Sequence, residues 1–176
     1  QYKMLHIVSK AVKAMAEGEL LQLEKARRLD IKEDIYFDII RKKTASLIAA
    51  SCSLGASSTV EDPERIEFMR QVGENIGMCF QIKDDLFDYG DENVGKPLGI
   101  EIKEKKMTLP LIYALNNASF WDRRRIIYII KNQSKDEQKV REVIDFVKAS
   151  EGIPFTIRKM NEYKEIENLL NIVKSR

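Results

Sequence analysis

Three closely spaced carboxylates, Asp84, Asp85 and Asp88, stand in the stretch Phe80-Gln81-Ile82-Lys83-Asp84-Asp85-Leu86-Phe87-Asp88-Tyr89. In a helix advancing about 100° per residue, Asp84 and Asp88 fall one above the other and Asp85 sits to one side. Val72, Ile76 and Phe80 form an i, i+4 row that runs directly into Asp84 and Asp88. The carboxylates are therefore expected to extend an inward apolar stripe, with Cys79, Ile82 and Leu86 across the helix. A solvated acidic face needs no partner, but several unpaired carboxylates on an inward row are costly and call for a counter-charge. With all-oxygen donors, the natural ion is Mg²⁺, which takes a few carboxylates and completes its shell with water and phosphate oxygens. Gly73 and Gly77 lie on the same side, where they leave either space below a metal or room for close helix packing.

A diphosphate leaving group needs fixed positive charge as well as metal. Lys96 stands in Gly95-Lys96-Pro97-Leu98-Gly99, just after the aspartates, and Lys103, Lys105 and Lys106 follow. A second basic point is Arg41-Lys42-Lys43-Thr44-Ala45-Ser46-Leu47. Lys43 lies on the row Ile39, Lys43, Leu47, and Thr44 on the row Ile40, Thr44, Ile48. Both rows are otherwise apolar, so at least one of the two polar residues is expected to face inward. A buried lysine without an anion loses its proton or destabilises the fold; a lysine that snorkels to the surface is the other reading. His6 has no partner cluster and is expected at the surface. Cys52 and Cys79 sit in apolar runs and read as buried, reduced thiols.

Rigid elements must carry these groups, and the pattern makes them helices. Glycine and proline are scarce, eight and four, and fall where helices should end. Helices are expected to about Leu29, from Ile35 to Leu54 with a stop at Gly55, and from Pro63 to Tyr89 with a stop at Gly90. Residues 90–107 read as the one long irregular segment. Thr108-Leu109-Pro110 reads as a cap and first turn of a helix through Leu115. Three amphipathic segments follow near 118–131, 135–149 and 155–174, the last two parted by Gly152 and Pro154. The expectation is one all-α domain over residues 1–176. Composition agrees: 44% apolar and 33% charged residues suit a soluble, charge-laced helical chain. Thirty basic against twenty-eight acidic residues leave +2, which offers no general field for nucleic acid. No apolar stretch approaches the roughly 20 residues that span a bilayer, and no signal peptide is visible. A cytoplasmic protein is expected. The residues after Gln1 already read as helix interior, so a truncated or processed chain is expected too.

Together these pieces resemble the trans-isoprenyl diphosphate synthase (polyprenyl synthetase) family, over essentially the whole chain and in order. Met15-Ala16-Glu17-Gly18-Glu19-Leu20-Leu21-Gln22 is similar to the family's helix ahead of its lysine–threonine pair, and Lys43-Thr44-Ala45 to that pair. Phe80-Gln81 with Asp84-Asp85-Leu86-Phe87-Asp88 matches the family's second DDxxD motif. Gly95-Lys96-Pro97-Leu98-Gly99 and Lys106-Met107-Thr108-Leu109-Pro110-Leu111 match its GKPxG…KxTLPL signature. Two departures stand out. The family's first DDxxD with paired arginines has no counterpart, since Arg27-Arg28 has no aspartates ahead of it. Glu101 stands where the family usually has aspartate.

The resemblance implies the C-terminal part of an isoprenoid-synthase helical bundle and a prenyltransferase. It implies Asp84, Asp85 and Asp88 as Mg²⁺ ligands, with Asp84, Asp85, Lys43 and Thr44 catalytic. Lys96 and Lys106 would hold diphosphate oxygens, Lys43 would orient the second substrate, and Gln81 and Thr44 would support by hydrogen bonds. The implied partners are isopentenyl diphosphate, an allylic prenyl diphosphate and a second copy of the chain. Without the first motif, this chain by itself is expected to be inactive. One alternative is a terpene cyclase, which should replace the second DDxxD by an NSE-type motif. Another is a non-catalytic subunit of a heteromeric prenyl synthase, which should have eroded aspartates.

Overall fold

The computed structural model describes residues 2–29, 32–90 and 98–164. Among them there is no strand. The helices are α1 (Tyr2–Arg28), α2 (Glu33–Ile40), α3 (Ser46–Ser57), α4 (Pro63–Phe87), α5 (Ile100–Lys103), α6 (Leu109–Asn116), α7 (Phe120–Asn132), α8 (Glu137–Lys148) and α9 (Gly152–Lys164). The chain divides into two compact units, Gln1–Gln22 with Phe37–Gln81 and Met160–Arg176, and Leu23–Tyr36 with Ile82–Lys159. None of the helices among the described residues is long and apolar enough to cross a membrane.

In the first unit, α2 does not run straight into α3. Arg41–Ala45 is wound as a π-helix, which inserts extra phase and breaks the i, i+4 rows read across it. Ile39, Ile40 and Ala45 are buried, whereas Leu47 is exposed. Single π-turns of this kind concentrate at functional sites. The helix also passes through Gly55 and closes only at Ser58, whose N–H donates to Leu54 O. Small residues let α4 approach this region closely: a Cβ placed on Gly77 would lie 2.5 Å from Ala45 Cα, and one on Gly73 2.7 Å from Ile48 O. Close packing, rather than space, is therefore what these glycines provide.

That packing also overturns the expected inward row. Val72 is buried, but Ile76 is 51% and Phe80 61% exposed. The face of α4 that meets α3 is set by Gly73 and Gly77, and it rotates Ile76 and Phe80 outward. Cys52 and Cys79 are free thiols and only half-buried, and His6 is exposed as expected.

The second unit has its own core, with Ile82, Ile102, Leu109, Leu111, Ile126, Ile130, Val143 and Val147 essentially inaccessible. Its α6 is buried almost all round, and α8 buries Val140, Val143, Ile144 and Val147, a one-faced helical stripe. Side-chain caps start α7 and α8, where Ser119 accepts from Asp122 N and Asp136 from Gln138 N and Lys139 N. Instead of breaking a helix, Gly152 begins α9. Pro154 falls in its first turn, where a missing N–H forfeits no helical hydrogen bond. Tyr113 of α6 stacks on Phe155 of α9, ring centroids 4.5 Å apart.

Candidate functional site

At the end of α4 the three aspartates differ in burial. The helix closes at Phe87, and Tyr89 N donates to Leu86 O in a tightened last turn. Asp88 sits in that turn, one residue past the helix. Asp84 is half-buried, whereas Asp85 is 5% and Asp88 0% exposed.

Each buried carboxylate holds backbone. Asp85 Oδ2 accepts from Tyr36 OH at 2.8 Å and from Leu109 N at 2.9 Å. Leu109 opens α6, and its predecessor Thr108 has the extended backbone of an N-cap but makes no capping bond. The Thr108 hydroxyl instead pairs with Tyr89 OH at 2.6 Å. Asp85 thus serves the N-terminus of α6 from another helix, where both the free N–H groups and the helix dipole favour an anion. Asp88 Oδ2 accepts from Glu101 N at 2.8 Å. Glu101 in turn pairs with Lys106 at 2.9 Å, and Lys106 also meets Glu104 at 2.6 Å.

The electrostatics follow this geometry. Burial alone would lower the pKa of Lys106, but hydrogen bonds and charge from Glu104 and Glu101 outweigh it and hold the ammonium above the ordinary lysine value. Burial pushes the Tyr89 phenol up; its bond with Thr108 opposes this, while the charges of Asp88, Asp85 and Glu101 add to it. Lys106 stays cationic and Tyr89 neutral at physiological pH.

Metal ligation can be tested against this arrangement. Among the described residues, no three histidine, cysteine, aspartate or glutamate side chains group into a metal cage. Mg²⁺ needs none, since it is held by one or two carboxylates together with water and substrate phosphates. Asp84, only half-buried, fits such a single-carboxylate role. Asp85 has Oδ2 committed to two donors and is only 5% exposed, so a metal would have to reach Oδ1 of a nearly inaccessible carboxylate. Lys96 lies outside the described residues.

The first unit carries the other predicted polar group. Lys43, on the π-turn, reaches Glu19 at 2.7 Å and donates to Gln22 at 2.6 Å, both on α1. A Cβ on Gly18 would lie 2.6 Å from Lys43 N, so the glycine is what lets α1 come this near. Thr44 donates to Gln81 Oε1 at 2.9 Å. The Lys43–Glu19 pair is about half exposed. Pairs of that kind contribute only about 0–1 kcal/mol, so Lys43 is readily given up to a stronger anion. A cleft of about 550 Å³ in this unit, lined by Lys3, His6, Lys10, Lys42 and Arg70 among others, includes neither Lys43, Thr44 nor Gln81.

Several participants escaped the sequence reading. Glu19 and Gln22 stood in a recognised stretch without a role; their i, i+3 spacing on α1 was the available signal. Tyr89, four residues beyond Asp85, was a polar group on the same side as that carboxylate. Tyr36 had no signal beyond its place in an apolar helix.

The polyprenyl synthetase family matches residues 1–147. This chain belongs to the polyprenyl synthetase family. Its similarity to a short chain isoprenyl diphosphate synthase of Methanothermobacter thermautotrophicus is 42% identity over 141 residues, covering 79% of this chain and 42% of the relative. Among solved synthases, geranylgeranyl pyrophosphate synthase from Bacteroides thetaiotaomicron superposes with a TM-score of 0.85 at 41% identity, over 94% of this chain and 55% of that one. A polyprenyl synthase from Caulobacter crescentus, solved in complex with calcium and isoprenyl diphosphate, gives 0.84 at 32% identity, over 93% and 50%. The all-α synthase fold is thereby shown, and the chain spans about half the length of the curated relatives it matches.

Proposed function

We propose that the protein joins an allylic diphosphate to isopentenyl diphosphate, head to tail and with trans geometry. The observation that carries this reading is the aspartate end of α4, where a part-open Asp84 adjoins a contact chain from Asp88 through Glu101 to the cationic Lys106. An anion with two phosphates finds a metal-holding carboxylate and a fixed ammonium on one compact unit. Mg²⁺ bound by Asp84 and the diphosphate would supply charge withdrawal from the leaving group. Lys106 holds a diphosphate oxygen as the allylic C–O bond breaks and the electron pair leaves with diphosphate. The isopentenyl double bond then forms the new C–C bond, and the released diphosphate accepts the proton lost from the isopentenyl unit. Lys43 exchanges Glu19 for a diphosphate oxygen and orients the second substrate, with Thr44 and Gln81 fixing the turn that carries it. The calcium and isoprenyl diphosphate held by the Caulobacter relative support both ligand classes. Asp84-Asp85-Leu86-Phe87-Asp88 is intact, which speaks against an eroded subunit and against an NSE-type cyclase. The reading includes a cytoplasmic homodimer as the working form.

The test is incorporation of labelled isopentenyl diphosphate into geranyl or farnesyl diphosphate by the intact protein with Mg²⁺. Longer trans-prenyl diphosphates are expected, and their absence at saturating substrates and Mg²⁺ would overturn the reading.

A further inference from the structure

From the unequal burial of the aspartates and the two hydrogen bonds on Asp85 we infer that the motif divides its labour: Asp85 is a positioning residue that, with Tyr36, sets the N-terminus of α6 and so the placement of Lys106, and it does not ligate metal. The inference deepens the reading above and rests on it for the role of Lys106.

The geometry is specific to Asp85. One carboxylate oxygen takes two donors, Tyr36 OH at 2.8 Å and Leu109 N at 2.9 Å, in a nearly inaccessible setting. The next residue back is held as well, by Tyr89 OH on Thr108 Oγ1 at 2.6 Å. Asp85 and Tyr89 are four residues apart, so the end of α4 grips two consecutive residues of the turn into α6. Lys106 lies only two residues before Thr108. A shift of Leu109 therefore carries Lys106 with it, and displacement of a charge stabiliser by as little as an ångström is enough to cost rate. Tyr36, buried beneath the carboxylate, fixes the orientation that aims Oδ2 at Leu109 N. Outer residues that orient a primary group in this way are typical of working sites.

The experiment compares Asp84→Asn, Asp85→Asn, Asp85→Ala and Tyr36→Phe in the intact protein. Three readouts are taken: Mn²⁺ binding with inorganic diphosphate, amide hydrogen exchange at Leu109, and kcat against KM. Asp85→Asn keeps an oxygen that can accept both bonds. It should bind Mn²⁺ like wild type and retain slow exchange at Leu109. Asp85→Ala and Tyr36→Phe should speed exchange at Leu109 and lower kcat while leaving Mn²⁺ affinity intact, and kcat should recover in Asp85→Asn. Asp84→Asn should do the reverse, weakening Mn²⁺ binding roughly tenfold or more with Leu109 exchange unchanged. Loss of Mn²⁺ binding in Asp85→Asn equal to that in Asp84→Asn would make Asp85 a ligand and overturn the inference. So would unchanged Leu109 exchange in both Asp85→Ala and Tyr36→Phe. Should Asp85→Ala not fold, Tyr36→Phe and Asp85→Asn still decide. If wild type transfers no prenyl group, the functional reading fails, while exchange and Mn²⁺ binding still judge the assignment of Asp85.

Discussion

Asp84 and Asp85 are neighbours in unequal surroundings, and the difference lies in where the helix puts them. Asp84 faces partly to solvent, and Asp85 is closed in by Tyr36 and α6. In the intact protein, Asp84→Ala is expected to lower turnover roughly 10²-fold or more, the scale of losing a group that stabilises transition-state charge. Steady-state kinetics at saturating Mg²⁺ check this, and wild-type turnover would return Asp84 to an ordinary solvated residue. A pH effect belongs to Tyr89. Its folded-state pKa is raised, chiefly by burial, so the neutral phenol stabilises the fold fully below the unfolded value of about 10. That contribution is lost as pH climbs above this value, because the unfolded chain ionises there first. The raised pKa of Lys106 acts in the same direction. Urea denaturation between about pH 8 and 11 should show stability falling at the alkaline end, and Tyr89→Phe should flatten that fall while lowering stability at pH 8. A slope unaltered by Tyr89→Phe would place the titration elsewhere.

At the scale of elements, the helices were legible because apolar spacing, glycine, proline and cap residues agree on them. The limits near Arg28, Phe87 and Asn116 fall within a few residues of their sequence expectation. Phase was far less legible. A row such as Val72, Ile76, Phe80, Asp84 reads as one stripe, yet packing through Gly73 and Gly77 chose a different face of α4. Similarly, the rows through Lys43 and Thr44 assume an unbroken α-helix, and nothing in Arg41-Lys42-Lys43-Thr44-Ala45 announces a π-turn, whose wider bond runs from Ser46 N–H to Arg41 O. The motif was therefore readable as a set of residues, but the division between Asp84 and its two buried companions was not. The contact between α4 and the π-turn offers a direct test of which face packs. Gly77→Ala forces a methyl toward Ala45 Cα, and overpacking of that kind costs about 1–3 kcal/mol. Chemical denaturation should show that loss, although alanine raises helix propensity by up to about 1 kcal/mol. Stabilisation by Gly77→Ala would mean that α4 and the π-turn are not in close contact there.

For the molecule as a whole, the feature that remains is apolar side chains left in water. Leu5, Val8 and Val12 of α1 are exposed, and their i, i+3, i+7 spacing puts them on one side of that helix. Gly18, on a different face of α1, packs against the π-turn, so rotating α1 to hide these residues would undo that packing and the Lys43–Glu19 contact. Exposure is thus built into the fold of the first unit. Fully burying each such side chain contributes about 1.5–3 kcal/mol, and three in one strip form the kind of patch that finds a partner. The 176-residue chain is therefore expected to self-associate at micromolar concentration, with Val12→Asp shifting it toward monomer because a charge in that strip opposes burial. Sedimentation equilibrium decides between the outcomes. A mass well above 20.4 kDa that falls in the Val12→Asp variant is the expected result. A mass of 20.4 kDa for the unmodified chain would show that this strip stays solvated and that the contacts of α1 are complete within one copy.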